Sequence, residues 1–95
     1  MAKERAHLII RGRVQGVFYR SSAQERAIEL ELTGWVRNRA DKTVEIVAEG
    51  ERKNLDVLIK WCYSGPQDAF VTGADVNWES YTGEFKEFLV KYRER

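Results

Sequence analysis

The segment Gly12-Arg-Val-Gln-Gly-Val-Phe-Tyr-Arg20 carries two glycines and ends on an arginine, between a stretch of alternating apolar residues and one with apolar residues at helical spacing. A strand-to-helix junction leaves backbone amides free and presents the positive end of the helix, so it can gather an anion. Gly16 can take a positive φ that lets successive N–H groups converge. Arg20 adds a permanent charge and a planar fork that matches two phosphate oxygens at once. The amides of Gln15, Gly16, Val17, Phe18, Tyr19 and Arg20 thus make a candidate phosphate cradle. A glycine-containing connection with a solvated arginine is the plainer reading of the same residues. Neither a P-loop nor a dinucleotide fingerprint fits: the Gly-Lys-Ser/Thr ending is absent, and Gly12 and Gly16 are not spaced as G-x-G-x-x-G.

Asn38, near the end of a second strand-like stretch, offers an amide that can accept a hydrogen bond from water and donate one elsewhere. Alone, an asparagine after a strand is a turn residue. No general base is evident. His7 is the only histidine, and its place early in the first strand marks an ordinary strand or surface residue. Trp35, Trp61, Trp78, Phe88 and Tyr92 read as core or sheet-covering aromatics. Cys62 reads as inert packing on a helix stripe. Arg37 and Arg39 flank Asn38 as surface charge, with substrate steering a secondary role.

These residues must be positioned by elements that the spacing predicts. Residues 7–14 form a strand with Leu8, Ile10 and Val14 on one face. Ser22-Ala-Gln-Glu25 reads as a capping box opening a helix over about 22–31, whose stripe is Ala23, Ala27 and Leu30, widened by Ile28 and Leu32. Residues 34–39 and 43–50 are two strands of a hairpin turning at 40–42. Leu55, Leu58, Ile59 and Cys62 mark a helix over about 51–63, stopped by Gly65-Pro66. Strands over 70–78 and 85–92 follow, with Phe88, Val90 and Tyr92 on one face and a turn at 81–83. The order β-α-β-β-α-β-β predicts an α+β, ferredoxin-like (split βαβ) sandwich with an additional C-terminal strand. Its sheet is mainly antiparallel, both helices cover one face, and right-handed crossovers put strand one beside strand three. That fold serves enzymes, RNA binders and metal carriers alike, so function rests on the site.

At 95 residues the chain is expected to be one domain, residues 1–95, burying roughly two-thirds of its unfolded surface. Hydrophobic residues at 43%, charged residues at 33% and a single proline exclude a disordered or fibrous chain. One cysteine permits no intrachain disulfide, and no Cys/His cluster suits a structural zinc. No signal-peptide core or membrane-length apolar run appears, so a cytoplasmic location is expected, with no membrane partner. Residues 1–42 carry nine Lys/Arg against five Asp/Glu, whereas residues 43–95 carry seven against ten. That asymmetry would favour a small anion in the first half, but it falls short of a nucleic-acid binder's basic footprint.

Two motifs resemble those of the acylphosphatase family. Gly12-Arg-Val-Gln-Gly-Val-Phe-Tyr-Arg20 resembles its G-x-V-Q-G-V-x-F-R signature, and Gly34-Trp-Val-Arg-Asn38 resembles G-W/Y-V-R-N. The resemblance continues through Val44-Glu45, Gly50, Gly65-Pro66 and Phe88 to Tyr92, and so covers nearly the whole chain. It implies the ferredoxin-like fold, no metal and no cofactor. It also implies an acyl phosphate substrate with inorganic phosphate as product, Arg20 binding phosphate, Asn38 placing water, and a substrate phosphate oxygen taking the proton. A monomer is the expected state. Four departures are local: Tyr19 stands at a usual Phe, Glu31 and Lys42 at common glycines, and Gln67 at a frequent second proline. A left-handed conformation at Glu31 or Lys42 would cost on the order of 1 kcal/mol relative to glycine. The rival classes are a ferredoxin-like RNA-binding module and a non-catalytic acyl- or carbamoyl-phosphate-binding domain. The first lacks its aromatic platform in Thr43-Val-Glu-Ile-Val-Ala-Glu49. The presence of both Arg20 and Asn38 disfavours the second.

Overall fold

The computed structural model describes residues 2–92; residues 1 and 93–95 of the expected domain lie outside them. The elements are β1 (Lys3–Arg13), α1 (Tyr19–Glu29), β2 (Thr33–Asn38), β3 (Val44–Glu51), α2 (Arg52–Cys62), β4 (Phe70–Glu79) and β5 (Phe88–Lys91). The sheet order is β4-β1-β3-β2-β5, with β5 parallel to β2 and the other neighbours antiparallel. This is the expected ferredoxin-like α+β arrangement, with β1 beside β3 and the extra strand at one edge.

Alternation decides which face is covered. Ala6, Leu8 and Ile10 of β1, Val36 of β2, and Val44, Ile46 and Ala48 of β3 are fully buried. They form one core with Ala23 and Ala27 of α1 and Leu55, Leu58 and Cys62 of α2. Burying a side chain of Leu or Ile size contributes roughly 1.5–3 kcal/mol, so this stripe fixes the strand register.

The intervening residues form a second face rich in charge. His7 Nε2 lies 2.7 Å from Glu45 Oε2, and Arg37 donates to Glu45 Oε1 at 2.7 Å. Glu49 is only 1% exposed. Its carboxylate accepts from Arg5 Nε at 2.8 Å, from the Thr82 amide at 2.9 Å, and from the Gly83 amide and the Thr82 hydroxyl at 3.0 Å. Burial pushes this carboxyl's pKa up, but those donors outweigh it and hold the group below the usual carboxylate range. The bonds tie the long β4-to-β5 connection to the sheet.

Several boundaries differ from expectation. α1 begins three residues before Ser22, and the Ser22–Glu25 capping box does not form. Phe18 precedes the helix in a left-handed conformation (φ 65°), no side chain caps it, and the Ser22 amide already donates to the Phe18 carbonyl at 3.1 Å. The buried line of α1 is consequently Tyr19, Ala23 and Ala27, and Ile28, rotated off it, is exposed. β1 starts at Lys3, and β5 is shorter than expected because Phe85 to Glu87 belong to the connection that Glu49 anchors. Glu31 (φ 58°) and Lys42 (φ 78°) both take the left-handed conformation. No helix among the described residues is long and apolar enough to cross a membrane.

Candidate active site

Strand register brings three separate stretches of chain to one end of the sheet. Ile10 pairs with Val44 and Val44 with Asn38, so the end of β1, and the loop after it, lies at the same end as Asn38. Arg37 pairs with Lys91 in the parallel β2–β5 ladder, which puts Tyr92 at the level of Asn38. A cavity of about 290 Å³ opens there. Its walls are Val14, Gly16 and Phe18 from the loop, Tyr19, Arg20 and Ser21 from the first turn of α1, Asn38 from β2, and Val90 and Tyr92 from the β5 side.

The loop side of this cavity is rich in unused donors. Among the described residues the backbone amides of 15–21 donate no hydrogen bond; the first amide to do so is that of Ser22. No acidic residue occupies the first turn of α1, so its positive end is uncompensated. Gly16 sits at φ 73° with open space where a Cβ would stand, so its glycine answers a backbone need and not a steric one. No described carboxylate pairs with Arg20; its guanidinium lies over the Tyr92 ring, 5.0 Å from the centroid.

Across the cavity stands an unused acceptor. Asn38 Oδ1 is buried and has no hydrogen-bond partner among the described residues. An orphaned buried acceptor of this kind costs roughly 1–3 kcal/mol, which a bound water or ligand donor relieves. Free backbone donors and a buried acceptor without a partner among the described residues thus belong to the walls of one cavity.

Of the six residues expected to form the cradle, Gly16, Phe18, Tyr19 and Arg20 line the cavity. Val17 packs against the core. The Gln15 side chain turns away and donates to the carbonyls of Arg39 at 2.9 Å and Thr43 at 2.8 Å, tying the loop to the β2–β3 connection beside Asn38. Tyr19 is buried under the loop. Its hydroxyl donates to the Cys62 carbonyl at 2.7 Å, and its ring packs against Trp61 with centroids 5.3 Å apart. Burial pushes the Tyr19 hydroxyl's pKa up strongly, and pushes the Cys62 thiol up to about 12, so neither ionises near neutrality. Gly65 (φ 69°) makes room for this arrangement, since a Cβ there would stand 2.8 Å from the Tyr19 ring.

Two cavity residues escaped the sequence reading as side chains. Phe18 was expected only through its amide, yet its ring is on the rim. Tyr92 is 80% exposed and not a core aromatic, because β5 ends at Lys91 before it. Its spacing with Phe88 and Val90 gave no sign of that ending. Arg37 and Arg39 pair with Glu45 and Asp41, and His7 with Glu45. None of the three lines the cavity. Among the described residues no group of three or more His, Cys, Asp or Glu could hold a metal ion.

The family model Acylphosphatase matches residues 6–90. The chain is 46% identical over 92 residues to the acylphosphatase of Pelotomaculum thermopropionicum, covering 97% of this chain and all of that one. It is 55% identical over 87 residues to the acylphosphatase of Methylococcus capsulatus, covering 92% and 95% of the two chains. The crystal structure of acylphosphatase from Bacillus subtilis superposes with a TM-score of 0.90 at 34% identity, covering 94% of this chain and 99% of that one.

Proposed function

This chain belongs to the acylphosphatase family, and on that premise we propose how its site divides the work: Arg20 and the amides of residues 15–20 hold the phosphoryl group, and Asn38 positions the attacking water. The reaction is hydrolysis of the carboxyl–phosphate bond of an acyl phosphate, yielding a carboxylate and inorganic phosphate. A carboxylate is a good leaving group, so its departure needs no general acid. What the protein must supply is neutralisation of charge on the phosphoryl oxygens and a water held in line. Donors fixed before the reaction supply the first. The Arg20 fork can span two oxygens, and the amides of residues 15–20, which donate to no acceptor among the described residues, belong to the loop that walls the same cavity.

The observation that carries this reading is Asn38, which lines the cavity that also holds Arg20 and whose buried Oδ1 has no hydrogen-bond partner among the described residues. A water donating one hydrogen to that oxygen keeps a lone pair free for phosphorus, and its remaining proton passes to a phosphate oxygen of the substrate. The same reading takes residues 1–95 as one domain acting as a cytoplasmic monomer without metal, cofactor, membrane or nucleic-acid partner. A free, buried Cys62 thiol suits a reducing compartment. The test is hydrolysis of benzoyl phosphate in the presence of EDTA, where turnover equal to that without chelator is expected. A folded protein with no rate above background would overturn the reading.

A further inference from the structure

Two large side chains stand open on the cavity rim: Phe18 keeps 79% and Tyr92 80% of its surface exposed. Phe18 also carries a left-handed backbone (φ 65°), a conformation unfavourable for a bulky residue. Little burial of its ring among the described residues offsets that strain. Strain held at a site wall points to a use for the side chain outside the fold. The partly buried Val90 continues the apolar surface inward. The cavity thus has a polar side of Gly16, Arg20 and Asn38 and an apolar rim of Phe18, Tyr92 and Val90.

We propose that Phe18 is a specificity-determining residue that, with Tyr92, seats the acyl group, so that the site favours acyl phosphates with aromatic or longer aliphatic acyl groups over acetyl phosphate. This rests on the phosphoryl group lying against Arg20 as set out above. The carboxyl carbon is then one bridging oxygen away, beside a rim residue two positions earlier in the chain. The preference arises from apolar surface removed from water when the substrate is bound and in the transition state. Phe18 is the cleaner probe, because Tyr92 also stacks on Arg20 and its loss would disturb phosphate binding as well.

The experiment compares kcat/KM for acetyl, butyryl and benzoyl phosphate, each corrected for its uncatalysed hydrolysis, in the unaltered protein, Phe18→Ala and Phe18→Leu. In the unaltered protein kcat/KM rises about twofold per added methylene from acetyl to butyryl, less than the roughly fourfold of full burial. In Phe18→Ala the benzoyl-to-acetyl ratio falls about tenfold, whatever loss the two substrates share, and Phe18→Leu recovers most of it. An unchanged ratio in Phe18→Ala, or equal rates along the series in the unaltered protein, overturns the acyl seat. If Phe18→Ala does not fold, the series in the unaltered protein decides alone. Hydrolysis of none of the three substrates by the unaltered protein would instead sink the proposed function, a result distinct from a flat series.

Discussion

Glu49 and Asn38 stand at opposite ends of the β2–β3 ladder, and each has buried oxygen. Four donors, one of them the Arg5 guanidinium, converge on Glu49. Nothing among the described residues donates to Asn38 Oδ1. The first arrangement offsets the cost of burying a charge and pins the β4-to-β5 connection. The second leaves a cost standing, along with idle amides and a left-handed Phe18 in the same neighbourhood. One end of the sheet is therefore complete without a ligand, and the other, on the proposed division of work, is completed by one.

Substitutions at the two ends should separate activity from stability. The largest effect is expected from Arg20→Lys, with kcat/KM for benzoyl phosphate falling on the order of 1,000-fold because an ammonium cannot supply two parallel donors. Near-normal kinetics would show that charge alone suffices. At the complete end, Glu49→Gln sets an amide against the Arg5 and backbone donors. A loss of about 3 kcal/mol, or roughly 10–20 °C in Tm, should appear in thermal melts, with turnover kept below the transition. The Glu49 carboxyl titrates lower when folded than when unfolded, so its contribution is complete above about pH 4.3 and is lost as pH falls through the folded value. Melts from pH 6 to 3 should show steeper loss in the unaltered protein than in Glu49→Gln; parallel curves would remove Glu49 as the acid-sensitive anchor. The smallest effect is expected from Tyr19→Phe, which leaves the Cys62 carbonyl without its donor and should lower stability by about 1 kcal/mol, or roughly 4–8 °C.

Sequence made much of this legible. Alternation in β1 and β3 and the i, i+3, i+4, i+7 stripe of α2 name the buried face directly, because burial is what those periods encode. The glycine at position 16 and the arginine that ends its loop pointed to a candidate anion site, and both line the cavity. Other features depended on what the chain does after it folds. The Ser-x-x-Glu pattern at Ser22 satisfied the rule for a cap, but a left-handed Phe18 starts the helix one turn earlier and makes that box redundant. Tyr92 belongs to the cavity only because β5 returns parallel to β2 and stops at Lys91. Asn38 rested on its motif; its missing partner is a fact about surroundings that no local pattern records. Tyr19, a departure from the family's usual Phe, has a structural explanation in the Cys62 carbonyl. For Gln67 none is evident.

Asn38→Ala tests the division of labour most directly when kcat, inhibition by inorganic phosphate and Tm are measured on the same protein. The expected result is kcat lower by on the order of 100-fold, with phosphate still competing for the site. Tm should be unchanged within about 3 °C or raised, since the substitution deletes an unsatisfied buried acceptor. Unchanged turnover would take Asn38 out of the reaction.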